Sequence, residues 1–282
     1  MDDKKYNLLD EPWICVMKEN GEVKELSLMD VLLHAHQYRR LAGELPTQDV
    51  AVLRLLLAVL QTVVYRYDTD GNEDELVETE DAYERWKEIW NDGKLPEKPI
   101  REYLTKWKER FYLYDSDRPF YQVPKAVNGT KYTAAKLNGE ISESNNKLRL
   151  FVNRARNEKK FLSDSEAARW LLYLNGFDDA SAKPKQSGLP SPGTGWLGKL
   201  GLIYADGNNL FETLMLNLVL VNIPDKECWD SPKPVWEAEK VKSAERTEIA
   251  VPSNQAELLT VQSRRILLEK EEQFPSSLTE NW

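Results

Sequence analysis

The side chains that most often carry catalysis are scarce in this sequence. The two histidines, His34 and His36, lie two positions apart, and helical residues at that spacing do not share a face. The two cysteines, Cys15 and Cys228, are far apart, and there is no Cys-x-x-Cys or Cys/His cluster. The sequence therefore predicts no zinc site, no disulfide framework and no Cys/His nucleophile pair, and we expect neither a metal nor a cofactor.

Other motifs that mark active sites are missing or weak. No GxxxxGK[ST] phosphate-binding loop is present, and Ser187 and Ser191 lack the strand–GxSxG–helix setting of a hydrolase. Residues 193–198, GTGWLG, match GxGxxG in outline, but no clear strand precedes them. Because acidic residues are plentiful, a hydrolase with paired carboxylates stays an open alternative, although no pattern brings two of them together. We predict that the chain is not an enzyme.

Residues 147–160, called here the basic segment, carry six Lys or Arg residues and one Glu in a chain whose net charge is −9. Basic side chains bind phosphates, amides bind polar base edges, and an aromatic ring can stack on an unpaired base. A solvated basic loop explains the same composition. The candidate nucleic-acid contacts in this segment are Phe151, Asn153, Arg154, Arg156, Lys159 and Lys160.

Residues 179–188, called here the small-residue segment, read DASAKPKQSG. Small residues allow a backbone to approach a partner closely, and lysines can bind phosphates, so this segment could enter a DNA minor groove. A mobile surface loop is the alternative. Its candidate contacts are Ser181, Ala182, Lys183 and Lys185. Residues 262–265, QSRR, offer a further basic point, which an ordinary amphipathic helix explains as well.

Composition limits these readings. With 41% hydrophobic and 30% charged residues, the 282-residue chain is globular and can bury a sizeable core. The net negative charge argues against a general nucleic-acid binder and leaves only local contacts. The N-terminus lacks the apolar region of a signal peptide, and the apolar stretches 50–64 and 210–221 are shorter than the roughly 20 residues of a membrane span. We expect a cytoplasmic protein with no membrane contact.

The elements that must position these segments are mainly helical. An Asn-Gly pair, Asn20 and Gly21, predicts a hairpin between residues 13–17 and 22–26, and Ser27 can cap the helix that follows. Ser163, with Glu166 three residues later, forms a capping-box pattern. We predict an α+β, helix-rich globular domain with small β-hairpins or sheets and long functional loops. Beyond the Ser27 helix, helices are expected at residues 46–64, 81–90, 99–113, 163–174 and 210–221, and an extended run at 147–153.

Short motifs follow one another along nearly the whole chain: YNLLDEPWI at 6–14, LSLMDV at 26–31, the helix at 46–60, DRPFYQ at 117–122, KL at 136–137, SNNKL at 144–148, EAARWL at 166–171, GWLG at 195–198, NLFETL at 209–214 and QSRR at 262–265. Each motif is unspecific by itself, but their order and spacing are specific. Together they resemble the CasA-type large subunits of the type I-E CRISPR surveillance complex (Cascade).

The resemblance implies a non-catalytic subunit that docks on the 5′ handle of the guide RNA, recognises the PAM of foreign double-stranded DNA and helps recruit a separate helicase–nuclease. The implied partners are the other Cascade subunits, the guide RNA and the target duplex. Phe151 corresponds to the aromatic residue that stacks on the handle, and Asn153, Arg154 and Arg156 to neighbouring contacts. The family's glycine loop, which contacts the PAM duplex, falls near residues 180–183, where this chain has Ala-Ser-Ala-Lys.

The resemblance also sets an expectation about domains. Residues 1–282 correspond to the N-terminal globular domain of the large subunit, and the C-terminal helical bundle of the family is absent from this sequence. Either the sequence is a fragment, or another protein supplies the functions of the bundle. A protein–protein scaffold without nucleic-acid contact, whose basic segment meets an acidic partner, is the alternative function.

Overall fold

The computed structural model describes residues 4–128, 131–138, 154, 161–178, 194–222, 227–228, 231–241, 251–262 and 264–270. Within these ranges, helices surround one apolar core and three small antiparallel sheets lie beside them. The predicted α+β class is confirmed.

The first sheets form at the N-terminal end of the chain. Strands β2 (Ile14–Met17) and β3 (Val23–Leu26) make the predicted hairpin, with Ile14 opposite Leu26. Gly21, with φ of 82°, supplies the left-handed residue of the turn. The short strand β4 (Arg40–Leu41) pairs with the other edge of β2 and gives the order β3-β2-β4. The loop that follows β4 contains Glu44, which contacts Arg154 of the basic segment.

Two further pairs of strands form, and the first of them ties distant parts of the chain together. Strand β1 (Lys5–Asn7) pairs with β5 (Tyr112–Tyr114), and β6 (Val221–Asn222) pairs with β7 (Glu227–Cys228). The pairing of β5 corrects the predicted helix over 99–113. A helix forms there only as far as α4 (Glu97–Lys106), because the following residues complete a sheet with the N-terminal strand.

Helix α2 (Pro46–Arg66) is the centre of the core. It begins with Pro at its first position, and most of its residues are buried on all sides. It has 21 residues, more than the predicted stretch, and is the one helix in the described ranges long and apolar enough to cross a membrane. Since 78% of its most apolar window is buried inside the protein, we interpret it as a core helix.

The remaining helices cover this core. Helix α1 (Leu28–Leu33) is capped by Ser27 as predicted, and α3 (Thr79–Asp92) ends at Gly93, whose φ is 70°. Helix α8 is shorter than the predicted 210–221, because the chain turns into β6. The helices from α5 onward are α5 (Ala134–Leu137), α6 (Asp164–Phe177), α7 (Trp196–Leu200), α8 (Leu210–Leu216) and α9 (Gln255–Leu259).

Candidate nucleic-acid interface

Helix α6 connects the two segments that the sequence marks as nucleic-acid contacts. The basic segment precedes its N-terminal end at Ser163, and the small-residue segment follows its C-terminal end at Asp178. At about 1.5 Å per residue, its 14 residues separate these attachment points by roughly 20 Å. Helix α6 packs against the core helix α2. Both segments are therefore attached to a fixed part of the fold.

The N-terminal end of α6 is capped as the sequence predicts. The Ser163 hydroxyl accepts a hydrogen bond from the Glu166 amide at 3.2 Å, and the Glu166 carboxylate accepts one from the Ser163 amide at 2.7 Å. The second oxygen of this carboxylate binds Arg154 at 2.8 Å. Burial by itself raises the pKa of Glu166. The hydrogen bond from the Ser163 amide and the charge of Arg154 outweigh burial, and the net pKa is lowered. The capping residue thus also anchors the basic segment.

Arg154 is mostly buried, with 10% of its side chain exposed. Its Nε and Nη2 atoms donate to the two carboxylate oxygens of Glu44, at 3.1 and 2.6 Å, in the paired geometry that suits a guanidinium. The Trp170 indole donates to the same Glu44 carboxylate at 2.9 Å. Burial lowers the pKa of Arg154, but the two carboxylates outweigh it and the net shift is upward. Arg154 is therefore a charged link between the basic segment and two elements of the fold.

Glu44 is held in place by the first turn of α2. The Glu44 amide donates to the Gln48 side chain at 3.1 Å, and the Gly43 amide donates to Asp49 at 2.7 Å. A Cβ atom on Gly43 would lie 2.6 Å from the Gln48 side-chain oxygen, so only glycine allows this approach without displacement. The loop before α2 thus fixes the carboxylate that receives Arg154.

A second buried arginine joins α6 to the hairpin. Arg169 donates through Nη1 to the Trp13 carbonyl and to the Glu25 carboxylate, both at 2.6 Å. Ser165 donates to the same Glu25 oxygen at 3.1 Å. These bonds attach the N-terminal half of α6 to β3 and to the residue that precedes β2. The helix that follows the basic segment is consequently bound to the N-terminal hairpin.

The C-terminal end of α6 contains a second buried ion pair. Arg264 donates through Nε to Asp178 at 2.6 Å, and the side chains are only 5% and 4% exposed. The Asp178 carbonyl accepts a hydrogen bond from the Gly195 amide at 2.8 Å. Asp178 and Gly195 flank residues 179–194 in sequence. The two residues that flank this stretch are therefore hydrogen-bonded to each other, and Asp178 is also bound to a distant part of the chain.

Of the predicted contact residues, the structure describes Arg154. Its guanidinium binds the protein's own carboxylates, and its contact with nucleic acid stays a prediction. The pairing could not be read from local sequence, because Glu44 lies 110 positions away. The other predicted contacts lie outside the described residues, as does the extended run expected at 147–153: Phe151, Asn153, Arg156, Lys159, Lys160, Ser181, Ala182, Lys183 and Lys185.

The remaining candidates from the sequence have structural surroundings. His34 ends helix α1 and contacts the Asp30 carbonyl at 3.0 Å, while burial lowers the pKa of His36. Among the residues that the structure describes, no group of three His, Cys, Asp or Glu side chains could hold a metal ion. The GxGxxG-like motif runs into the five-residue helix α7. In the QSRR motif, Arg264 is buried. The described residues of this motif, at 262 and 264–265, are not helical, which differs from the amphipathic helix that the sequence also allowed.

Glu44, Gly195 and the Asp178–Arg264 pair were not identified from the sequence. Each acts through a partner far away along the chain or through a close backbone approach, and neither produces a periodic or local pattern. A Cβ atom on Gly195 would lie 2.2 Å from the Gly176 carbonyl oxygen. The glycines of the GWLG and NGF sequences are the signal that could have indicated this contact.

Comparison with known proteins places the chain in a family. The model of the CRISPR-associated protein Cse1 family matches residues 7–279. The CRISPR-associated protein CasA/Cse1 of Thermus thermophilus is 31% identical over 234 residues, covering 83% of this chain and 42% of that protein. The family match at residues 7–279 therefore spans both predicted segments.

Solved structures agree with this result. Thermobifida fusca Cse1 is 32% identical with a TM-score of 0.69, covering 96% of this chain and 50% of its own. Acidimicrobium ferrooxidans Cse1 is 28% identical with a TM-score of 0.70, covering 95% and 48%. A chain of a CRISPR RNA-guided surveillance complex, at 18% identity and a TM-score of 0.67, shares the fold, with coverages of 92% and 51%. The chain spans about half the length of these relatives, and it belongs to the CRISPR-associated protein Cse1 family.

Proposed function

We propose that residues 1–282 are the N-terminal globular domain of a Cascade large subunit, which docks on the guide RNA and senses the PAM of double-stranded DNA. The observation that carries the proposal is the family match over residues 7–279, which includes the basic and small-residue segments. The surveillance-complex chain with the same fold supports it. The domain itself performs no chemistry in this proposal, and it acts in the cytoplasm.

The basic segment is the proposed guide-docking element. Phe151 stacks on the 5′ handle, and Asn153, Arg156, Lys159 and Lys160 provide polar and phosphate contacts. Arg154 instead anchors the segment, because Glu44 and Glu166 already bind its guanidinium. In this division Arg156, Lys159 and Lys160 serve RNA binding and Arg154 serves attachment.

The small-residue segment is the proposed duplex-sensing element. Ser181 and Ala182 allow close approach to the minor groove, and Lys183 and Lys185 bind the flanking phosphates. Guide pairing then reads the rest of the target, and a separate helicase–nuclease is recruited to cut it. The attachment of both segments to α6 supports a common orientation toward one ribonucleoprotein.

Reconstitution tests the proposal. The chain would be expressed with the remaining Cascade subunits and guide RNA, and its co-purification compared for wild type, Phe151→Ala and Phe161→Ala. Phe161 is a matched control, since it is a half-exposed phenylalanine just beyond the basic segment. We expect wild type and Phe161→Ala to join the complex and Phe151→Ala to be lost. Equal retention of all three chains would reject the docking residue, and failure of the wild type to join would reject the function.

A protein–protein scaffold without nucleic-acid contact is the second candidate function. The observation in its favour is that Arg154, the described cation of the basic segment, binds carboxylates. In that case an acidic protein would replace the guide RNA as partner. Salt-dependent RNA binding that weakens on Arg156→Gln would exclude this candidate, because phosphate contacts are lost as salt rises.

A further inference from the structure

Gly195, which follows the stretch 179–194, makes a close backbone contact with the last turn of α6 that only glycine permits. A Cβ atom on Gly195 would lie 2.2 Å from the Gly176 oxygen and 2.8 Å from the Phe177 nitrogen. The backbone conformation of Gly195 is extended, with φ of −58° and ψ of 160°, so glycine is needed here for space and not for its dihedral angles. Gly176 in that turn also lies near α7, because a Cβ atom on Gly176 would lie 3.0 Å from the Leu197 side chain. The chain therefore returns directly onto the last turn of α6.

The Asp178–Arg264 ion pair fixes this contact to the rest of the fold. Removing two charges from water is costly, and apolar residues of similar size often stabilise a core equally well or better. What the pair adds is direction, because the Nε–H of Arg264 donates to an Asp178 carboxylate oxygen across 86 positions of sequence. Such a pair specifies the relative position of two chain segments.

Arg264 is itself held on both sides. Before it, Arg54 of α2 donates to the Leu259 carbonyl at 3.1 Å and also binds the Leu258 carbonyl, which fixes the end of α9. After it, the Val123 amide donates to the Ile266 carbonyl at 2.8 Å, and the Leu268 amide to Gln122 at 2.6 Å. Hydrogen bonds on either side of Arg264 hold it in the fold, and those before it come from the central helix α2. Arg264 in turn fixes the position of Asp178.

We infer that Asp178, Arg264 and Gly195 form a stem that positions the small-residue segment for duplex recognition. These three are positioning residues, since none of them needs to touch DNA. The inference rests on the proposed function, because it assigns a support to the element that senses the PAM. A segment attached to a stem at both ends loses less conformational entropy on binding than one with free ends, and this gives affinity and discrimination.

The test uses reconstituted complexes and two DNA duplexes, one with the preferred PAM and one without it. Asp178→Asn removes the charge of the pair, and the double variant Asp178→Leu with Arg264→Met replaces it with apolar side chains that keep the core filled. Both are expected to join the complex like the wild type. We expect the complex with either variant to bind the PAM duplex about 10-fold more weakly than the wild-type complex, with little change for the other duplex. The reason is that the small-residue segment is less well preorganised in both variants.

Asp74→Asn is the matched control. It also deprives a buried arginine of its carboxylate, because Arg85 of α3 is 8% exposed and binds Asp74. Asp74 lies in the loop between α2 and α3, which is not part of the stem. This control is expected to lower the melting temperature and to leave PAM discrimination unchanged. If the double variant discriminates as well as the wild type, or if Asp74→Asn loses discrimination equally, the stem has no positioning role.

Hydrogen exchange separates failure of the inference from failure of the proposed function. In the isolated chain the Gly195 amide, bonded to the Asp178 carbonyl, is expected to exchange slowly in the wild type and faster in Asp178→Asn. Unchanged exchange would overturn the stem whatever the DNA measurements give. Protected exchange together with a wild-type complex that shows no PAM preference would overturn the proposed function and leave the stem with nothing to position.

Discussion

At the residue scale, Arg154 makes contacts within the protein that its local sequence does not indicate. The composition of the basic segment predicts a nucleic-acid contact for Arg154, and in the fold Glu44 and Glu166 bind its guanidinium. The capping role of Glu166 was predictable, since Ser163 lies three residues before it. The contribution of Glu44 was not, because it depends on packing between elements 110 positions apart.

Substitution of Arg154 tests this reassignment. Arg154→Gln leaves two partly buried carboxylates without their cation, and we expect the free energy of unfolding to fall by about 1–3 kcal/mol. Guide affinity measured well below the melting temperature should change less than it does for Arg156→Gln. A variant as stable as the wild type that no longer binds guide RNA would show that Arg154 is a direct contact.

Asp49 makes stability depend on pH. Burial raises its pKa to about 6, against the opposing effect of the Gly43 amide that donates to it. The unfolded chain has the lower pKa, near 3.8. The folded state therefore holds its proton more tightly, and this residue's contribution to stability declines as pH rises from about 4 to about 6 and then stays constant.

Asp49→Asn removes this dependence and keeps an oxygen for the Gly43 amide. Relative to wild type, we expect the variant to gain stability as pH rises from 4 to 6 and to stay more stable at pH 7. Melting temperatures of both proteins from pH 4 to 8 measure the difference. A difference that does not vary with pH would contradict the raised pKa.

At the element scale, periodicity and capping predicted most of the secondary structure. The hairpin, the Ser27 cap, α2, α3 and α6 are confirmed within a few residues. The errors lie where tertiary pairing overrides local preference. Residues 112–114 join a sheet with the N-terminal strand, and α8 ends before the strand at 221–222. Aromatic and apolar residues suit a helix or a strand, so their pattern does not decide between them.

The core helix α2 contains a polar residue that the fold does not satisfy. Gln61 is 1% exposed, and its Nε2 atom has no hydrogen-bond partner within the described part of the chain. Burial of an unpaired amide costs about 1–3 kcal/mol. Gln61→Met, which keeps the shape, is therefore expected to raise the free energy of unfolding by about 1–2 kcal/mol in urea titrations.

Gln48→Met on the same helix is the control. Gln48 is also fully buried, but its side-chain oxygen accepts the Glu44 amide at 3.1 Å. Its replacement leaves that amide unpaired, so we expect little gain or a loss of stability. Equal stabilisation by both substitutions would mean that the hydrogen bond from the Glu44 amide to Gln48 contributes nothing to stability.

At the scale of the whole molecule, the net charge of −9 argues against general nucleic-acid binding and limits the proposed contacts to local basic segments. The family could be recognised from the order of short motifs, and the candidate segments from their composition. The anchoring of the two ends of α6 could not be predicted, since it depends on Glu44, Gly195 and Arg264, which reach α6 from three other parts of the chain. Long-range contacts of this kind leave no pattern in a single sequence.

The central claim is that this domain gives a guide-RNA complex its sensitivity to the PAM. The most direct measurement is the affinity of the reconstituted complex for duplexes with and without the preferred PAM, in the presence and absence of this chain. We predict that the chain joins the complex and makes binding of the PAM duplex at least about 10-fold tighter than that of the other. Equal affinity for the two duplexes with the chain bound would contradict the account.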